Sequence, residues 1–274
     1  MKLVQPSPFG KRIVASLLLA FVLLSAVVRA QSSNPLDQVT HVYPRVGLEV
    51  GLSSAWQSGE YLTGCGDFKE GAAINGVIAL AYDHPLSGEK FRFEALLGFQ
   101  GRSVSSSYNS RENVLLNTNN GLVRTDVDFE NLGEFNTSMF FFLPSLKYYL
   151  AKPVYLGVGA SGNFVTGASS QYTKNILSRT VLINELGLSD VYYAESESSD
   201  PYSKVYPAEQ RDDVSGFTAD LVFYAGLEFP ITESKKLRLG PRLMYTLPLT
   251  MHVGDPELRL NSFQILIGGR YVLE

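Results

Sequence analysis

The chain has 274 residues, with 23 Lys plus Arg against 27 Asp plus Glu, a formal net charge of −4 and 45% hydrophobic residues. The acidic balance argues against nucleic acid as a partner, and a single cysteine, Cys65, excludes an internal disulfide scaffold. Beyond the N-terminus no apolar run approaches the roughly 18 residues of a spanning helix and helical periodicity is scarce, so the apolar residues must sit on strands.

In chain order, Lys2, Lys11 and Arg12 precede an apolar run from Ile13 to Val28 and then Val28-Arg29-Ala30. This is the pattern of a secretory signal peptide cleaved after Ala30. Residues 1–30 hold four of the basic residues and no acid, so removing them leaves 19 basic against 27 acidic residues, a net charge of −8. Residues 31–43 are expected to form an N-terminal periplasmic segment and 44–274 one domain. Cys65, flanked by Gly64 and Gly66, reads as a loop residue.

Eight stretches then show the period-2 alternation of strands with unlike faces. The first, from Arg45 to Trp56, sets Val46, Leu48, Val50 and Leu52 against Arg45, Glu49 and Ser53; a Gly-rich connection, Gln57 to Glu70, follows. The second runs from Ala72 to Tyr82 and ends in a turn at Asp83-His84-Pro85. In the third, Phe91 to Arg102, the residues Phe91, Phe93, Leu97 and Phe99 oppose Arg92, Glu94 and Arg102. Ser103 to Phe135 reads as a hairpin, with a turn at Asn119-Asn120-Gly121, that continues past the body of the sheet. The fourth strand, Ser138 to Leu150, contains Lys147 and an irregularity at Pro144. A short turn, Ala151-Lys152-Pro153, leads to the fifth, Val154 to Phe164. Gly167 to Ser215 is expected to be irregular. The sixth strand, Phe217 to Phe229, carries Asp220 and Glu228 on its polar face; the seventh, Leu237 to Leu247, carries Arg238 and Arg242. The eighth, around Ser262 to Leu273, carries Arg270.

Strands in succession without room for crossovers imply an all-β, eight-stranded antiparallel up-and-down barrel. Three features place the apolar face outside, toward lipid, making it a transmembrane β-barrel with long extracellular loops. The connections alternate between long ones, at Gln57, Ser103, Gly167 and Thr250, and tight turns at Asp83, Ala151 and Pro230. The apolar faces are bulky and free of charge. The opposite faces mix small residues with charges, as a lumen only wide enough for side chains requires. Arg45, Glu49, Arg92, Glu94, Arg102, Lys147, Asp220, Glu228, Arg238, Arg242 and Arg270 are therefore expected to form a lumenal charge network that plugs the interior.

The signal peptide, the strand pattern and the segments Phe142-Leu143-Pro144-Ser145-Leu146-Lys147-Tyr148-Tyr149-Leu150 and Lys152-Pro153-Val154-Tyr155-Leu156-Gly157-Val158-Gly159 resemble the small PorT-like outer-membrane β-barrel proteins of Bacteroidota-type Gram-negative bacteria. More distantly, the chain is similar to the OmpX and OmpA barrels. The C-terminal Gly268, Tyr271 and Leu273 resemble the signal read by the barrel assembly machinery, although the chain ends Leu-Glu where an aromatic residue is common. The resemblance implies residence in the cell outer membrane, with lipid and the assembly machinery as partners.

A catalytic base, an orienting acid and a nucleophile have no fixed motif here; His252 with Asp255 is the one pair at a long-loop end, and His252 is expected at the surface. No cofactor or metal is implied. Gly167 to Ser215 carries Asp190, Glu195, Glu197, Asp200, Glu209, Asp212 and Asp213 with Tyr172, Tyr192, Tyr193, Tyr202 and Tyr206. It reads either as a solvated acidic loop or as an external recognition surface. The expected function is a monomeric outer-membrane barrel with a structural, surface-recognition or secretion-accessory role. The alternatives are a small-solute porin and a soluble exported ligand-binding barrel.

Overall fold

The computed structural model describes residues 43–63, 66–87, 90–119, 121–183, 187–193, 200–253 and 257–273. The expected signal peptide, nearly all of the segment 31–43, Cys65 and Asp255 lie outside them. Eight long strands, numbered here in chain order, dominate: β1 (Arg45–Gly59), β2 (Gly71–Ser87), β3 (Phe91–Thr118), β4 (Gly121–Ala151), β5 (Val154–Ile176), β6 (Phe217–Leu227), β7 (Leu237–Pro248) and β8 (Leu258–Val272). Each pairs antiparallel with the next, and β8 returns to β1 through Leu258↔Gly59 to Val272↔Arg45. The ladder is thus a closed ring of eight strands, which leaves the core of the sheet without an edge.

Alternation decides what the ring encloses. Leu48 and Leu52 on β1, Ile74 and Leu80 on β2, Leu97 on β3, Leu146 on β4, Leu156 on β5, Phe223 on β6, Leu239 on β7 and Ile267 on β8 all point outward and are exposed. The inward rows hold the charges. Aromatic residues gather at both margins of this belt: Phe91 and Tyr148 meet at 4.7 Å near the short turns, and Phe99 and Phe140 (5.3 Å), Phe164 and Phe217 (5.3 Å) and Trp56 and Tyr245 (6.1 Å) at the other end.

The expected irregularity at Pro144, and a second proline within a strand, Pro241, coincide with breaks in pairing, because proline has no N–H to give. The β4–β5 ladder skips Leu143 and Pro144, between Phe142↔Gly162 and Ser145↔Gly159. β7 loses its inner partner at Pro241, between Gly226↔Arg242 and Phe229↔Leu239.

The strands are longer than the alternation suggested. β2 continues through Asp83 to Ser87, with a register shift between Pro85 and Ser87, so Asp83 belongs to the wall and not to the turn. The hairpin past the sheet is present as an unbroken β3–β4 ladder from Phe91↔Tyr148 to Thr118↔Gly121. The expectation of an irregular Gly167–Ser215 is corrected. β5 runs on to Ile176, Thr180–Ile183 pairs with Gly187–Tyr192, and Ser203–Val205 and Glu209–Gln210 line the edge of β5. Ser, Thr, Asn and Gln on both faces hide the alternation there. Two apolar clusters hold these extensions together, one around Phe68, Phe135, Tyr172 and Leu258, the other around Leu116, Phe129, Ile176 and Val191.

Candidate functional site

The inward rows are layered. At the short-turn end lie six cations, Arg45, Arg92, Lys147, Arg238, Arg242 and Arg270, and four carboxylates, Glu49, Asp83, Glu94 and Glu228. Strand after strand, an apolar layer follows (Val77, Leu96, Leu143, Val222, Met244, Leu266), then a polar one (Ser53, Arg102, Asn163, Asp220, Gln264), then the apolar plug of Phe68, Val104, Phe135, Leu258 and Leu260. A shared order on all the strands follows from one register running round the ring.

In the lower layer each carboxylate serves several cations. Glu94 accepts from Arg242 at 2.7 Å and Arg270 at 2.8 Å, and lies 3.6 Å from Lys147. Glu49 accepts from Arg270 and lies 3.2 Å from Arg242. Lys147 reaches Asp83 at 3.1 Å and Glu228 at 3.0 Å, while Arg92 donates to Asp83. Glu228 also takes Arg45 at 2.5 Å and the Tyr149 hydroxyl at 2.8 Å, and Arg238 approaches it at 3.5 Å. All are buried except Arg238, which is partly exposed at the rim. Buried charges survive only with such partners. Nine of the eleven charged residues named from the sequence lie together in this layer, while Arg102 and Asp220 pair at 2.6 Å two layers higher, beyond the apolar one.

Two features of this layer escaped the sequence reading. Asp83 bridges Arg92 and Lys147, and the residues just after it, with their turn-like Pro85, concealed it. Tyr155 and Tyr224 fill space over glycines: they stand opposite Gly226 and Gly157 in the β5–β6 register, and a Cβ at Gly157 would lie 2.0 Å from Tyr224 Cζ. Arg242 and Lys147 lie over those rings, Lys147 Nζ at 4.1 Å from the Tyr155 centroid and Arg242 at 4.6 Å from that of Tyr224.

His252 is corrected from surface to interior. It is fully buried beneath the outer loops, beside Arg102 and Asp220, and neither ring nitrogen has a hydrogen-bond partner among the described residues. Its main chain is clamped between Leu258 O, at 2.8 Å, and Ser215 N, at 2.8 Å. Burial and then the Arg102 cation push its pKa down to about 3, with Asp220 acting the other way. Among the described residues no group of three or more His, Cys, Asp or Glu could hold a metal ion.

The long-loop end presents a different chemistry, that of tyrosine, serine, asparagine and carboxylates. Tyr172 donates to Asn131, Asn131 bonds Ser110 at 2.8 Å, and Lys174 bonds Glu112 at 2.5 Å. Partial burial works against the Glu112 charge, but hydrogen bonds from Lys174 and Ser110 hold its pKa below the ordinary range. Of the tyrosines expected on a recognition loop, Tyr172 is buried and Tyr206 packs on it at 5.1 Å.

At the C-terminus, Gly268 faces the lumen against Glu49 and Arg270, while Tyr271 on β8 and Leu273 just beyond it are exposed.

No family model matches the chain, and no curated protein matches it. Among solved structures it is similar to Ail, the attachment invasion locus protein of Yersinia pestis, at 9% identity over 84% of this chain and 99% of that one, with a TM-score of 0.31. It is also similar to Neisserial surface protein A (12% identity, 83% and 97% covered, TM-score 0.28). A third is an outer membrane channel from Pseudomonas putida F1 (10% identity, 88% and 100% covered, TM-score 0.28).

Proposed function

We propose that the protein is an integral outer-membrane protein, an eight-stranded transmembrane β-barrel with a plugged lumen that carries a surface-recognition platform in a structural or secretion-accessory role. The observation that carries this reading is the inverted polarity of the ring: bulky, uncharged side chains outside on every strand, buried ion pairs inside. In water such a belt would be an exposed apolar patch far beyond what soluble monomers tolerate. In a bilayer it is the lipid-facing surface, and the aromatic margins are its interfacial girdles. Eight residues separate Phe91 from Phe99 and Tyr148 from Phe140, about 27 Å along a strand and about 21 Å of height at the tilt of a barrel wall, which sets these rings at the margins of a hydrocarbon band about 25 Å tall.

In this reading the short turns face the periplasm and the long extensions face outward. Residues 1–30 direct export, and Gly268, Tyr271 and Leu273 end the strand that the assembly machinery receives. The ring closes within one chain, so a monomer suffices. The test is membrane fractionation. The protein should stay with the outer membrane through alkaline washing and need detergent for release; release without detergent would favour the soluble binder. In planar bilayers the plugged lumen should give no large steady openings, and their appearance would favour the porin.

A further inference from the structure

Above the belt, β3 loses one neighbour for ten residues. Its pairing with β2 ends at Gly71↔Ser106, and the strand Gly187–Tyr192 takes up only Asn117 and Thr118, so among the described residues no strand pairs with the edge from Ser107 to Leu116, although Phe68 packs on Tyr108 at its lower end at 5.2 Å. β4 pairs with the other edge throughout. The inward row of β3 changes over the same interval. Val104 and Ser106 below it and Leu116 and Thr118 above it are buried, whereas Tyr108, Ser110, Glu112 and Val114 between them are only half-buried. The wall therefore stands open sideways between the two outer apolar clusters. Exposed strand edges are usually blunted by proline, charge or a bulge. This one has no proline, no bulge against β4, and among its outward residues one cation, Arg111.

We propose that this window is a docking site for a short extended peptide with basic side chains at alternate positions, which joins the sheet as a further strand along Ser107–Leu116. Roughly half of the ten residues turn N–H and C=O toward the open edge, and strand addition draws its affinity from those groups. The chain's own strands stop the window at both ends, which favours a peptide of about ten residues over the long edge of another folded sheet. Charge sets the side chains. Asp126, Asp128 and Glu130 share the outer face of β4 at period 2. They bond the neutral Asn113, Ser178 and Asn175, and among the described residues none forms a salt bridge, with Arg111 standing opposite Asp128 in the register. That row lies two strand spacings, about 10 Å, from an added strand, within reach of Lys or Arg. The peptide's other side chains enter the half-open interior beside Tyr108 and Val114.

The probe is the nine-residue peptide acetyl-Lys-Val-Lys-Val-Lys-Val-Lys-Val-Lys-amide, added to the full-length barrel in detergent micelles and followed by backbone amide hydrogen exchange. Amides on the open edge of 107–116 should exchange readily in the protein alone and become protected with the peptide. The protection should weaken with salt and vanish when alternate peptide nitrogens are methylated. The triple variant Asp126→Asn, Asp128→Asn, Glu130→Gln should bind about tenfold more weakly while the belt strands keep their own protection. The proposal is overturned if binding survives methylation or if a Glu-Val peptide of the same length binds equally. It is also overturned if 107–116 is protected without peptide, through a second copy where protection grows with protein concentration and through the chain itself where it does not. None of these readouts depends on a bilayer, so they stand or fall separately from the fractionation result.

Discussion

Replacing Glu94 by Gln keeps the shape of the side chain and removes the charge between Arg242 (2.7 Å), Arg270 (2.8 Å) and Lys147 (3.6 Å). The lower lumen would then hold six cations against three carboxylates. Removing one partner from a buried ion pair costs about 3–5 kcal/mol. Arg242 and Arg270 keep Glu49, and Lys147 keeps Asp83 and Glu228, so we expect the lower end, about 3 kcal/mol. That is a large share of a stability of about 5–15 kcal/mol. The assay is urea unfolding in phospholipid vesicles, followed by the fluorescence of the single tryptophan, Trp56, which lies against Tyr245 at the margin of the belt. The double variant Glu94→Gln/Arg242→Met should recover at least about 1 kcal/mol, since it also removes one of the surplus cations. A cost below about 1 kcal/mol for Glu94→Gln alone would mean that water screens the network, and the plugged lumen would be wrong.

Leu80, 62% exposed on the outer face of β2, gives a direct test of the lipid contact: Leu80→Arg should cost about 2–4 kcal/mol in vesicles, and an unchanged unfolding midpoint would refute a lipid-facing belt. Gly157→Ala should destabilise by about 1–3 kcal/mol, because its methyl group overlaps Tyr224, and Tyr224→Ala should relieve the overlap; additive losses in the same assay would count against the Tyr–Gly fit. His252 is neutral when buried, with a pKa of about 3 against an ordinary 6.5. Below pH 6.5 the opened state takes up a proton that the closed state refuses, so the stability of the outer plug is full above about pH 6.5 and falls as the pH drops toward 3. Exchange of the Ser215 amide, bonded to His252 O, should follow this course after correction for intrinsic rates and lose it in His252→Phe; identical profiles would refute it.

The sequence shows the lumen well and the outer half poorly, and the difference is physical. A strand facing lipid on one side and packed charge on the other must alternate strictly, so Arg92, Glu94, Glu228 and Arg270 were legible as interior residues one strand at a time. Asp83 was not, because a following proline suggested a turn when the chain bends through an irregularity and carries on as β2. Which tyrosine covers which glycine depends on the pairing of β5 with β6, and no single strand contains it. His252 is buried by the bridges of Val253 to Val214 and to Leu258, contacts between segments far apart or irregular in pattern. Beyond Ser103 both faces of β3 to β5 are polar enough that alternation fades. There the fold rests on apolar residues supplied by several loops at once.

The unbroken β3–β4 ladder has a mechanical consequence. From Arg102 to Thr118 the hairpin advances sixteen residues beyond the polar layer, about 50 Å of strand and, at the tilt of a barrel wall, about 40 Å of height. With β5 beside it as far as Ile176 it is a stiff mast. With the long extensions facing outward, as we propose, a large object approaching the cell would meet the far end of this hairpin before meeting lipid, so that end, and not the barrel mouth, would set the distance at which the protein is first touched.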